Sequence, residues 1–192
     1  MMPDILIRRE GPAGRITLNR PEVLNALTYP MCRALDAALR AWQDDDAVAL
    51  VLIDATGPRA FCAGGDIARL YAEARGGNFA HGQQFWRDEY RMNARIASYP
   101  KPVISLMQGF TMGGGVGVGC HASHRIVGAT SQIALPECGI GWCPMSARAS
   151  CWHARRDGWA NTWPPPAHGW LPPTQSSRAS PIIWCPRPTG PP

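Results

Sequence analysis

Two glycine-rich turns are the segments of this sequence best suited to chemistry: Ala60-Phe61-Cys62-Ala63-Gly64-Gly65-Asp66 and Met112-Gly113-Gly114-Gly115. Glycine lets a backbone approach a ligand closely, and a helix that starts at such a turn aims free N–H groups at it. Two N–H groups converging on one carbonyl oxygen would form an oxyanion hole. Each turn, taken alone, is more often a tight turn and nothing more. Other chemistries fail on residue type. The single lysine, Lys101, sits in Pro100-Lys101-Pro102, so no phosphate loop ends in a lysine. Gly113 to Gly119 is glycine-rich without the G-x-G-x-x-G spacing, and no serine stands in a G-x-S-x-G elbow. Cys120, His121 and His124 lie close in sequence but have no second ligand pair at zinc spacing, so they read as packing or surface residues and no metal is expected.

Positioning two such turns requires a rigid scaffold, and the sequence supplies one. Ile5 to Ile7 and Gly14 to Leu18 read as short strands around a Gly-Pro turn. Thr28 is placed to cap a helix in which Met31, Leu35, Ala38 and Trp42 recur at helical spacing until Asp44-Asp45-Asp46. Val48 to Ile53 is a continuous apolar run that suits a strand buried on both faces. A helix is predicted over about His81 to Ser98, a strand over Val103 to Met107, a helix over Gly113 to His121, and a strand at Arg125-Ile126-Val127. Strands alternating with helices of this length predict an α/β fold.

Composition narrows the function classes. Six apolar residues in Val48 to Ile53 are far short of the roughly 18 a membrane helix needs, so no membrane span is expected. Seven scattered cysteines argue for a reducing compartment, and Met-Met-Pro-Asp does not open like a secretory signal, so a cytoplasmic location is expected. The net charge of +5 resolves into +1 over residues 1–141 and +4 over residues 142–192. Basic character spread thinly through the last part of the chain gives no nucleic-acid patch.

Five segments, in order and spacing over residues 5–141, resemble the crotonase (enoyl-CoA hydratase/isomerase) superfamily. They are Asn19-Arg20-Pro21 with Leu24-Asn25-Ala26-Leu27, then Ala60 to Ile67, Lys101-Pro102-Val103, Met112 to Gly117, and Pro136-Glu137 with Ile140-Gly141. The resemblance implies a crotonase-like α/β core of stacked ββα units, incomplete at its C-terminal end, with a large apolar patch left exposed. It implies an acyl-CoA thioester as substrate, coenzyme A being part of that substrate and no separate cofactor being needed. Gly65 and Gly114 would supply the oxyanion-hole N–H groups, and Leu24, Ala63, Gly64 and Asp66 would line the coenzyme A path. Homo-oligomers are possible on the same grounds. Hydratases of the superfamily carry a first glutamate just after the glycine triplet, where this chain has Gly117, and water addition needs a paired acid and base. The chain more closely resembles the branch that hydrolyses 3-hydroxyisobutyryl-CoA in valine breakdown, through its Phe-Cys-Ala-Gly-Gly-Asp-Ile and Met-Gly-Gly-Gly-Val-Gly segments and Asp88-Glu89-Tyr90. By that resemblance Glu137 is the catalytic carboxylate, Glu89 contacts the substrate, and an aspartate is expected eight residues after Glu137.

Met145 stands there instead, and the language of the chain changes at the same place. Residues 142–192 hold six of the eight Trp and 11 of the 19 Pro, without helical or strand period. Trp142-Cys143-Pro144-Met145-Ser146, read one base earlier, permits Leu-Val-Pro-Asp-Val, which returns the aspartate to its expected position. Asp157 to Trp163 treated likewise permits Gly-Arg-Leu-Gly-Glu-Tyr-Leu. Residues 1–141 therefore read as an acyl-CoA-binding domain, and 142–192 as an irregular, out-of-frame tail that leaves the chain impaired. The alternatives are an enoyl-CoA hydratase/isomerase, or a non-catalytic fragment or binding protein acting through its tail.

Overall fold

The computed structural model describes residues 2–137 and the backbone of one later strand at 182–185. The chain opens with a hairpin of β1 (Ile5–Glu10) and β2 (Ala13–Leu18), turning at Gly11 with φ of 59°. A short 3-10 turn at Pro21–Val23 leads to α1 (Tyr29–Gln43), which Thr28 caps by accepting a hydrogen bond from the Met31 N–H. Met31, Leu35 and Ala38 face the core as their spacing predicts. Lys101 closes the far end of this helix, donating from Nζ to the carbonyls of Trp42 and Asp45 at 2.7 Å each. That contact gives the lone lysine a structural role, satisfying carbonyls that a helix end leaves open.

Two further ββα steps and a last pair of strands follow. β3 (Leu50–Ala55) leads to the short β4 (Ala60–Cys62), α2 (Ile67–Arg75) and α3 (Phe79–Ala97). β5 (Val103–Met107) leads to β6 (Phe110–Met112) and α4 (Gly114–Cys120), and β7 (His124–Gly128) leads to β8 (Gln132–Ala134). The long strands and β9 (Ile182–Cys185) form one sheet in the order β1-β2-β3-β5-β7-β9, and the short ones form a second in the order β4-β6-β8. All pairings but the first hairpin are parallel. Parallel strands need both faces covered, which is why β3 and β5 are so apolar. The α/β core of stacked ββα units expected from the sequence is therefore present.

β9 (Ile182–Cys185) adds to β7 in parallel register, a strand where irregular chain is expected. The rest of the reading of residues 142–192, including Met145, lies outside the described residues. Ile67, Tyr71 and Phe79 are exposed apolar side chains around α2 and the start of α3. Among the described residues no helix is long and apolar enough to cross a membrane.

Candidate active site

The first glycine turn is held from beneath by Asn25. Its Nδ2 donates to the carbonyls of Thr56 and Ala60, and its Oδ1 accepts from the Arg20 N–H, at 2.8–2.9 Å. Leu24 and Asn25 both adopt the left-handed conformation, with φ of 55° and 54°. Such geometry at two non-glycine residues costs free energy and persists only where the surroundings fix it. Here it lets the Leu24 carbonyl accept from the Ala63 N–H at 3.0 Å. The Leu27 N–H then donates to Gly64, and the Asp66 N–H to Leu27. These two bonds make a parallel bridge between Leu27 and Gly65, so the N–H of Gly65 itself points to the opposite side.

On that opposite side lies the second turn. Gly64, at φ of 110°, packs backbone to backbone on it: a Cβ there would lie 3.2 Å from the Met112 carbonyl oxygen and 3.7 Å from the Gly114 nitrogen. A Cβ on Gly114 would stand 3.4 Å from the Gly65 nitrogen and 2.6 Å from Glu89 Oε1. The backbones of Gly65 and Gly114 and one carboxyl thus lie against one another, and only residues without a side chain allow it. α4 is anchored behind this spot, because Ser105 Oγ donates to the Gly119 carbonyl and His121 Nδ1 lies 2.7 Å from the Gly117 carbonyl oxygen.

Two carboxyls border the glycines. Glu89 is buried on α3, and burial, reinforced by the nearby charge of Glu137, raises its pKa to about 7. Glu137 follows β8, with its Oε1 3.4 Å from where a Cβ of Gly113 would be, and burial raises its pKa as well. Glu89 Oε1 and Glu137 Oε2 are buried with no hydrogen-bond partner among the described residues. Carboxyls withdrawn from water, with raised pKa values and an unpaired oxygen each, are suited to proton transfer. Among the described residues, burial pushes the thiols of Cys32 and Cys62 upward and keeps them protonated. No group of three or more His, Cys, Asp or Glu among the described residues is placed to hold a metal ion.

The structure brings Gly65, Gly114 and Glu89 together with Glu137 against Gly113, packs Gly64 on the second turn, and joins Leu24 to Ala63 by a backbone hydrogen bond. Asp66 is turned elsewhere. Its carboxylate caps α2 by accepting from the Arg69 N–H and pairs with Arg20 at 3.0 Å, so it shapes the turn from outside. One residue escaped the sequence reading. Asn93 is buried on α3 one turn after Glu89, against Gly117, and neither of its amide atoms has a partner among the described residues. A polar residue on the buried stripe of Phe85, Glu89, Met92 and Ile96 was the available signal.

The sequence profile of the family described as Enoyl-CoA hydratase/isomerase matches residues 13–158. The chain belongs to this family. Curated relatives named 3-hydroxyisobutyryl-CoA hydrolase, mitochondrial, are similar to it: the Bos taurus protein at 47% identity and the Danio rerio protein at 43%, each over 141 residues. These matches cover 73% of this chain and 36–37% of the relatives, so the chain spans little more than a third of their length. Among solved structures, an enoyl-CoA hydratase from Rhodobacter sphaeroides 2.4.1 is 65% identical with a TM-score of 0.74, covering 76% of this chain and 43% of that one. A carnitinyl-CoA dehydratase from Mycobacterium thermoresistibile is 46% identical with a TM-score of 0.73, covering 75% and 42%. The family's crotonase fold is the one described above. The cytoplasmic location expected from the cysteines is corrected by the relatives, which are named as mitochondrial. Scattered free cysteines report a reducing environment and do not say which reducing compartment it is.

Proposed function

We propose that this chain serves hydrolysis of the thioester of 3-hydroxyisobutyryl-CoA. The observation that carries the proposal is the meeting of the Gly65 and Gly114 backbones with the buried carboxyl of Glu89 and the half-buried one of Glu137. The thioester oxygen accepts from the two glycine N–H groups, and the coenzyme A moiety runs along Leu24 and Ala63. Glu137 takes a proton from water as the water oxygen bonds to the carbonyl carbon. The charge that develops on the carbonyl oxygen is held in the hole, which contributes about 3 kcal/mol per donor in comparable sites. Collapse breaks the C–S bond, and the proton held by Glu137 passes to the leaving thiolate. Direct attack by the Glu137 carboxylate, followed by hydrolysis of the resulting anhydride, uses the same geometry. Glu89, whose pKa burial raises to about 7, has in its neutral form an O–H to offer the acyl hydroxyl.

A second reading has an observation in its favour. Gly117 removes one carboxylate that water addition requires, yet α3 returns one to the same hole as Glu89, and Glu89 with Glu137 makes an acid–base pair for hydration of an enoyl-CoA. The test compares 3-hydroxyisobutyryl-CoA with crotonyl-CoA, using a chain in which Leu-Val-Pro-Asp-Val and the shifted frame follow Gly141. Thiol release from the first with no loss of enoyl absorbance from the second supports the hydrolase. Hydration of crotonyl-CoA without thiol release would replace it with the hydratase.

A further inference from the structure

The row Glu89–Asn93 on α3 lies along the row Gly114–Gly117 on α4. Glu89 Oε1 occupies the space beside Gly114, and the Asn93 amide occupies the space beside Gly117, its Cγ 2.9 Å from where a Cβ would stand. Residues four apart share one helix face, and side chains tilt toward the helix N-terminus, so the Asn93 amide leans over the turn that carries Glu89. Asn93 is 4% exposed and Glu89 3%. Burying an amide with both its oxygen and its nitrogen unpaired is costly, and native proteins keep such a group where a partner comes and goes.

We propose that Asn93 is the positioning residue for Glu89: when the Glu89 carboxyl ionises, the Asn93 amide turns to donate to it and holds the charged group beside the hole. An ionised carboxylate gains more from such a donor than a neutral carboxyl does. Among the other side chains around Glu89, Glu137 after β8 carries like charge, the thiols of Cys32 on α1 and Cys62 on β4 already donate to Met92 Sδ and the Gly64 carbonyl, and Asp88 on α3 is engaged by Tyr29 and Gln84. The Gly65 and Gly114 N–H groups beside it are the ones the thioester oxygen takes. The inference deepens the reading of Glu89 as a substrate-facing carboxyl, and its test needs no turnover.

The 192-residue chain, with glutamate carboxyls labelled with carbon-13 and asparagine side chains with nitrogen-15, is titrated by NMR; E89Q assigns the Glu89 signal. The Asn93 amide protons are expected to become protected from solvent exchange with the same midpoint at which Glu89 loses its proton, and E89Q is expected to abolish that transition. N93L is expected to raise the Glu89 midpoint by about one to two units, the size of a lost hydrogen bond to a charged group. Asn93 protons whose protection is the same above and below the Glu89 midpoint in the unmodified chain overturn the proposal, whether or not N93L folds. So does a folded N93L with an unmoved Glu89 midpoint. Failure of hydrolysis in the frame-restored chain, with the titration as expected, would overturn the substrate and leave this inference standing.

Discussion

Replacing Glu89 by glutamine should stabilise the protein, and only above a certain pH. The carboxyl is 3% exposed and its pKa rises from 4.5 to about 7 on folding, chiefly because burial disfavours the charged form. The folded chain therefore holds the Glu89 proton more tightly than the unfolded chain does. Where the native state binds more protons, stability falls as pH rises. Relative to glutamine, the glutamate costs nothing below about pH 4.5. Its penalty grows between there and about pH 7, reaching about 3 kcal/mol, from ~1.4 kcal/mol per unit of pKa shift. Urea unfolding of the wild-type chain and E89Q at about pH 4, 6 and 8 measures the difference directly. Superimposable curves at the lowest pH and a gap of about 3 kcal/mol at the highest are expected. A gap of constant size across the range would refute the reasoning, since it would mean that Glu89 does not ionise within it.

Gly117→Glu, which writes in the hydratase residue, should not confer hydratase activity, because its Cβ already collides with the Asn93 amide. A loss of about 1–3 kcal/mol from overpacking is expected, relieved when Asn93→Ala is added, as read from denaturation midpoints. Asn25→Ala removes three buried hydrogen bonds and leaves a left-handed residue without its support. It should cost about 3 kcal/mol and release the Gly64-Gly65 turn, seen as faster hydrogen exchange at the Asp66 and Leu27 amides. The 192-residue chain should hydrolyse 3-hydroxyisobutyryl-CoA at or near background, because Met145 can carry no proton. Restoring the reading frame after Gly141 should raise the rate by at least ~10², and changing the restored aspartate to alanine should remove that gain. Family-typical thioesterase rates from the unrepaired chain would sink the frame argument.

What the sequence made legible follows from how local each cause is. Thr28 as a cap, the helical spacing of Met31, Leu35 and Ala38, and the apolar run from Val48 are short-range patterns, and each element stands within a few residues of its expected place. α2 escaped notice because its nine residues bury no side chain fully, so it shows no core-facing stripe. The second sheet of β4, β6 and β8 escaped for a related reason: three-residue strands are too short for a period to register. At the site, the glycine turns were visible as composition, but what they do depends on distance. Gly114 and Glu89 are 25 positions apart in sequence, and their near contact arises because α3 packs on α4 with no Cβ between them. Gly117 shows the same lesson from the other side. Read along the chain it is a missing carboxylate and so an argument against paired acid–base chemistry. Read across the helix pair it is the vacancy that admits Asn93 and lets α3, one turn earlier, supply the carboxyl instead. The second carboxyl of this site is therefore an interhelical property: one helix omits the side chains, and its neighbour uses the room.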